Sequence, residues 1–151
     1  MSDFESAFQA ALTAEYQAVF GYALLGPHLP EAEQGRALSC ETAHEAIRDA
    51  ALAAMAAASI KPDEPAADYP TLYPVGSASQ AYALAARLED DCAQAWRVLY
   101  LSVAVDGGSA PPDATARRRD AQAALTSAAV RAARWRKIAG VVPASQPFPG
   151  I

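Results

Sequence analysis

The segment Ile60–Gly76, IKPDEPAADYPTLYPVG, sets four prolines between two long stretches that read as helix. Proline lacks an amide hydrogen and clashes with the preceding helical turn, so neither neighbouring helix can run through this segment. Extended chain advances roughly 3.3 Å per residue, which gives the segment a reach of over ~50 Å. A helix of about 28 residues is roughly 42 Å long. The connection can therefore run the full length of a helical bundle before the next helix begins. It predicts an all-α four-helix bundle in up-down-down-up order, with a long Pro-rich crossover between helices two and three. The alternative is an up-down-up-down bundle with a loose loop.

The helix boundaries follow from local signals. Ser2-Asp3-Phe4-Glu5 has the form of a capping box and opens a first helix over 3–25, stopped by Gly26-Pro27. Pro30 starts the second, over 30–59. Ser77-Ala78-Ser79-Gln80 opens the third, over 77–106, ahead of Gly107-Gly108, and Pro111-Pro112-Asp113 opens the fourth, over 113–139, closed by Gly140. The remainder, 141–151, is Pro-rich and is expected to lie extended along the outside. The whole of 1–151 reads as one domain.

The hydrophobic fraction is 52%, much of it alanine, a composition that favours helices in close approach. Net charge is −5, which argues against nucleic acid as a partner. The charge is uneven, with 3 basic and 11 acidic side chains in 1–75 against 9 and 6 in 76–151. The basic run of the fourth helix reads as neutralising acidic neighbours. Cys40 and Cys92 lack paired spacing and fit reduced, buried thiols of a cytoplasmic protein. No signal peptide and no uninterrupted apolar span are visible, so no membrane partner is expected.

Two carboxylates break the core pattern. The first helix repeats Phe8, Leu12, Val19 and Tyr22, and the member between Leu12 and Val19 is Glu15. The third repeats Tyr82, Ala85, Cys92, Trp96, Leu99 and Val103, and its charged member is Glu89. An ionised carboxylate at such a place must find a cation, a metal or a proton. On the second helix Cys40, His44, Ile47 and Ala51 share a stripe, with Glu41 one turn before His44. Counted from the bundle ends at 1.5 Å per residue, Glu15, Glu41, His44 and Glu89 fall within roughly 6 Å along the axis.

A complete di-iron carboxylate centre needs Glu-x-x-His on two helices, and the fourth helix here contains neither residue. At the matching level it offers Arg131, whose guanidinium would pair with Glu15 or Glu89 and repel a second metal. Three readings follow. In the first, Glu15, His44, Glu89 and Arg131 form a satisfied polar core without metal. In the second, Glu15, Glu41, His44 and Glu89 hold a single iron, manganese or zinc ion. In the third, Glu41 and Glu45 face solvent and His44 is an isolated core histidine. Tyr16, Tyr22, Tyr82, Trp96 and Trp135 read as core rather than as a cofactor box.

The stretches AEYQAVFGY (14–22), AHEAIRDA (43–50), LEDDCAQAWR (88–97), RAARWR (131–136) and the closing PFPG (147–150) resemble a family of small alanine-rich bacterial proteins with a ferritin-like domain of unknown function. The resemblance implies a ferritin-like four-helix bundle, a homodimer, and no settled biochemical activity. The expected function is accordingly a binding or structural role with a degenerate or absent metal centre and no cofactor. The alternative is an iron- or manganese-dependent oxidase or hydroxylase using Glu15, Glu41, His44 and Glu89.

Overall fold

The computed structural model describes residues 2–105 and 113–151, and its regular elements are all helical. The predicted stop of the third helix at Asp106 and Gly107-Gly108, and the Pro111-Pro112 start signal, lie outside the described residues.

The first helix, α1 (Asp3–Leu25), starts on a reciprocal cap. Ser2 Oγ accepts the Glu5 amide at 3.1 Å, and Glu5 accepts the Ser2 amide at 2.8 Å. A 3₁₀ turn over Gly26–His28 leads to α2 (Glu31–Ala57), with Pro30 at its N-cap. The second helix stops short of Ser59, which turns to a φ of 57° and lets the Ile60 amide reach back to the Met55 carbonyl at 2.9 Å. Ser77 Oγ accepts the Gln80 amide at 3.2 Å at the start of α3 (Ala78–Val105). The last helix, α4 (Ala114–Ile138), ends ahead of Gly140, whose φ of 75° suits a residue without Cβ.

Between α2 and α3 the chain contains only a short 3₁₀ turn, Pro70–Leu72. It is fastened along α1. Gln9 donates to the Lys61 carbonyl at 2.8 Å and accepts the Asp63 amide at 2.9 Å, and Phe20 stands edge-on to Tyr69 with ring centroids 5.2 Å apart. Further on, Arg87 of α3 donates to the Thr71 carbonyl at 2.8 Å. The prolines prevent helix, and these side-chain contacts replace the backbone bonds a helix would have made.

The helix pair α3–α4 is the most extensive, followed by α1–α3 and then α1–α2. Small side chains make this possible: Ala121, Ala124, Ala128 and Ala132 are the buried face of α4, completed by Trp135. Between α1 and α3 the residue numbers run in opposite senses, from Phe8 against Trp96, through the Ala14 carbonyl against the Cys92 thiol, to Gly21 against Leu88. At Gly21 a Cβ would stand 2.4 Å from Leu88 Cδ1, so glycine is what lets these two helices touch. The tail after Gly140 has no helix, and Gly150 lies against the Ala93 carbonyl and Arg97 of α3.

The apolar interior falls into two clusters. One gathers Phe8, Leu12, Met55, Trp96 and Leu99, and the other Tyr22, Leu25, Leu84, Leu88 and Trp135. Each large apolar side chain buried there contributes about 1.5–3 kcal/mol. The level between the two clusters is occupied by charge.

Candidate functional site

Glu15, His44 and Glu89 are the fully buried acidic and basic side chains among the described residues, each with 0% of its surface exposed. They come from α1, α2 and α3 and meet at one point. His44 lies between the two acids, its Nδ1 2.7 Å from Glu15 Oε2 and its Nε2 3.1 Å from Glu89 Oε1. The fourth helix supplies Arg131, whose Nε donates to both oxygens of Glu89 at 2.9 and 3.0 Å. Two carboxylates, an imidazolium and a guanidinium sum to zero charge, which is how four ionic groups tolerate an apolar interior.

Three aromatic residues complete the network. Trp96 Nε1 donates to Glu15 Oε1 at 2.6 Å, and the Tyr22 hydroxyl donates to Glu89 Oε1 at 2.6 Å. Trp135 Nε1 in turn donates to the Tyr22 hydroxyl at 2.8 Å. The Tyr22 ring also stacks on His44, with centroids 5.6 Å apart. Tyr22, Trp96 and Trp135 thus act as polar partners as well as core residues, a role that their helical spacing does not signal. A buried indole or phenol with a free donor does, because such a group seeks an acceptor.

Burial pulls the His44 pKa down, but the hydrogen bonds its ring donates to Glu15 and Glu89, together with their charges, outweigh this and push the pKa up to about 9. At neutral pH both ring nitrogens therefore carry hydrogen. Burial, followed by the charge of Glu89, pushes the Tyr22 hydroxyl well above its ordinary value, so it remains a phenol and a donor. Burial likewise holds the Cys92 thiol far up, with Glu15 adding to the effect. That thiol faces the Ala14 carbonyl at 3.5 Å.

Glu41 stands apart. It is half-buried, makes none of the hydrogen bonds of the centre, and its carboxyl is raised by partial burial and by Glu45. The group nearest to a metal set is instead Glu15, His44 and Cys92, whose ligand atoms lie within 4.8 Å of one another. A metal held there would have to displace the Cys92 thiol proton and a ring hydrogen of His44 that Glu15 or Glu89 accepts. A second metal would meet the Arg131 guanidinium.

The fold and this centre define a class: an all-helical protein with four long helices and an ion-paired, aromatic-lined core. The chain belongs to the family defined by a domain of unknown function, DUF4439, whose profile matches residues 7–151. Among solved structures it is similar to a conserved hypothetical protein, rv2844, from Mycobacterium tuberculosis. The two share 28% identity at a TM-score of 0.79, over 90% of this chain and 96% of the other. No curated protein matches it. Among the described residues no helix is long and apolar enough to cross a membrane.

Proposed function

We propose that this chain is a binding protein on a ferritin-like, up-down-down-up bundle, in which an ion-paired centre stands where related bundles hold metal. The topology is supported by the opposed numbering of α1 and α3. The contacts of α3 with α4, where Glu89 meets Arg131 and Tyr100 meets Arg118, make that pair antiparallel, as the same order requires. The long crossover along α1 fits the same order. One observation carries the functional reading: His44 gives both ring nitrogens to carboxylates while Arg131 occupies the remaining face of Glu89. Glu15, His44 and Glu89 are each held by neighbouring side chains, and none of these three reaches water.

Elemental analysis of protein purified without chelator tests this. The expected result is far less than one equivalent of iron, manganese or zinc. About one equivalent, lost in Glu15→Ala, would overturn the reading in favour of a metal-dependent oxidase or hydroxylase. The proximity of Glu15, His44 and Cys92 is what favours that second reading, with Glu41 and Glu89 as its further carboxylates.

Two properties complete the proposal. The chain works in the cytoplasm, a reading supported by its two free, buried cysteines, and fractionation that finds it outside the cell would remove it. It forms a homodimer, supported by the exposed Val98 and Leu101 on the outer face of α3. Light scattering that returns a monomer at tens of micromolar would dismiss the dimer.

A further inference from the structure

The helices α2 and α4 do not close on each other as the other neighbours do. Between them lies a groove of about 700 Å³, whose wall carries Arg36, Arg131 and Arg134 together with Ser39, Thr126 and Ser127, and no acidic residue. That is an unusual wall for a chain of net charge −5. Arg134 is exposed and pairs with no carboxylate among the described residues, and Arg36 is anchored to Glu33 at 3.3 Å. Arg131 gives its Nε to Glu89, while its Nη2 is buried and finds no acceptor among the described residues. Lys137 and Arg134 share a further hollow with Arg36 at the same end, extending the positive mouth.

The gap continues along the same two helices. Past Ser127, which borders both, a second hollow of about 260 Å³ is walled mainly by Phe8, Ile47, Trp96, Leu99 and Ala124, with the paired Arg117 and Asp120 also on its wall. From Arg134 to Ala123 the α4 backbone advances about 16 Å. The two hollows adjoin at Ser127, the first carrying unopposed cations and the second mostly apolar side chains beside a neutralised Arg117–Asp120 pair.

From this juxtaposition we infer that the α2–α4 cleft binds an aliphatic carboxylate of medium chain length. The carboxylate lies among Arg36, Arg131 and Arg134, and the chain lies beyond Ser127 toward Trp96 and Leu99. Guanidinium recognises a carboxylate by paired charge-assisted hydrogen bonds, and the Arg131 Nη2 is a donor still without an acceptor. Each methylene removed from water tightens binding by about fourfold, so the chain and not the head carries most of the affinity. This deepens the binding reading above and rests on it.

Calorimetric titration of the delipidated full chain with laurate, acetate and inorganic phosphate is the test. Laurate is expected to bind about one to one and at least about tenfold tighter than acetate or phosphate. Arg36→Glu with Arg134→Glu, both surface changes, should weaken laurate about tenfold or more. Ala123→Phe at the apolar end should weaken laurate while leaving the arginines in place. Equal affinity for all three anions, no binding, or laurate binding indifferent to both variants overturns the inference. A dimer that dissociates when Arg36 and Arg134 are reversed would also overturn it, because a second copy would then fill the cleft. The metal content of the same preparation is measured separately, so the two readings fail independently.

Discussion

The two sides of this bundle treat charged side chains in opposite ways. On the side where α1 meets α3, Glu15, His44 and Glu89 are sealed, and Trp96 and Tyr22 complete their hydrogen bonds. On the side where α2 faces α4, arginines stand in an open cleft, and the Arg131 Nη2 lacks an acceptor among the described residues. Arg131 belongs to both, holding Glu89 with Nε while lining the cleft. The difference shows how one helical frame can separate a stabilising ionic core from a surface left free to bind. In the core, charge is neutralised by partners fixed at short distance. In the cleft, charge of one sign accumulates, because no acidic side chain among the described residues lines it.

The largest effect that would break this contrast comes from opening the sealed side. Glu89→Ala removes the acceptor shared by His44, Tyr22 and Arg131 and leaves a buried cation uncompensated. Denaturant unfolding should show a loss of about 3–5 kcal/mol. A loss below about 1 kcal/mol would mean that the centre is solvated and the contrast is false.

Next comes pH. The His44 pKa in the folded chain, about 9, lies above its ordinary 6.5. Its contribution is fully present below pH 6.5 and is lost as pH rises through 9. Stability should therefore fall by about 3 kcal/mol across that window. A His44→Gln variant, less stable at pH 6, should lack this slope. A wild-type stability curve that is flat over the same range would show that His44 is neutral in the fold.

Tyr22→Phe is milder. It removes a donor to Glu89 and the acceptor of Trp135 Nε1, and thermal unfolding should report a cost of about 1–3 kcal/mol. Gly21→Ala should cost a similar amount, because the added Cβ must displace Leu88 and part α1 from α3. An unchanged melting temperature in Gly21→Ala would show that Leu88 simply moves aside. The smallest change belongs to the open side. Arg134→Ala should alter stability by no more than about 0.5 kcal/mol, so any effect it has on laurate is an effect on binding.

Much of the frame is legible in residue order. The Ser2–Glu5 cap, the prolines after α2, and Gly140 after α4 are local stereochemical devices whose effects need no distant partner. Glu15 and Glu89 also announce themselves, because a carboxylate in a slot of an apolar repeat needs a counter-charge. The partners are less readable. Spacing alone cannot assign Trp96 to Glu15 and Tyr22 to Glu89, since both contacts join residues far apart in sequence. Glu41 shows the converse difficulty. Its axial level matches that of the centre, but its angular position on α2 leaves it half-buried and outside the network.

Sequence by itself determined four helices, the cap at Ser2, the break after α2 and the turn at Gly140, and two acids at core positions, because these depend on backbone stereochemistry and on periodicity within single helices. Only the tertiary structure decided that His44 bridges the acids, that Arg131 chooses Glu89, and that α2 and α4 stay apart. Those outcomes depend on how far each helix is rotated and how closely its alanines let a neighbour approach, quantities that no single helix contains.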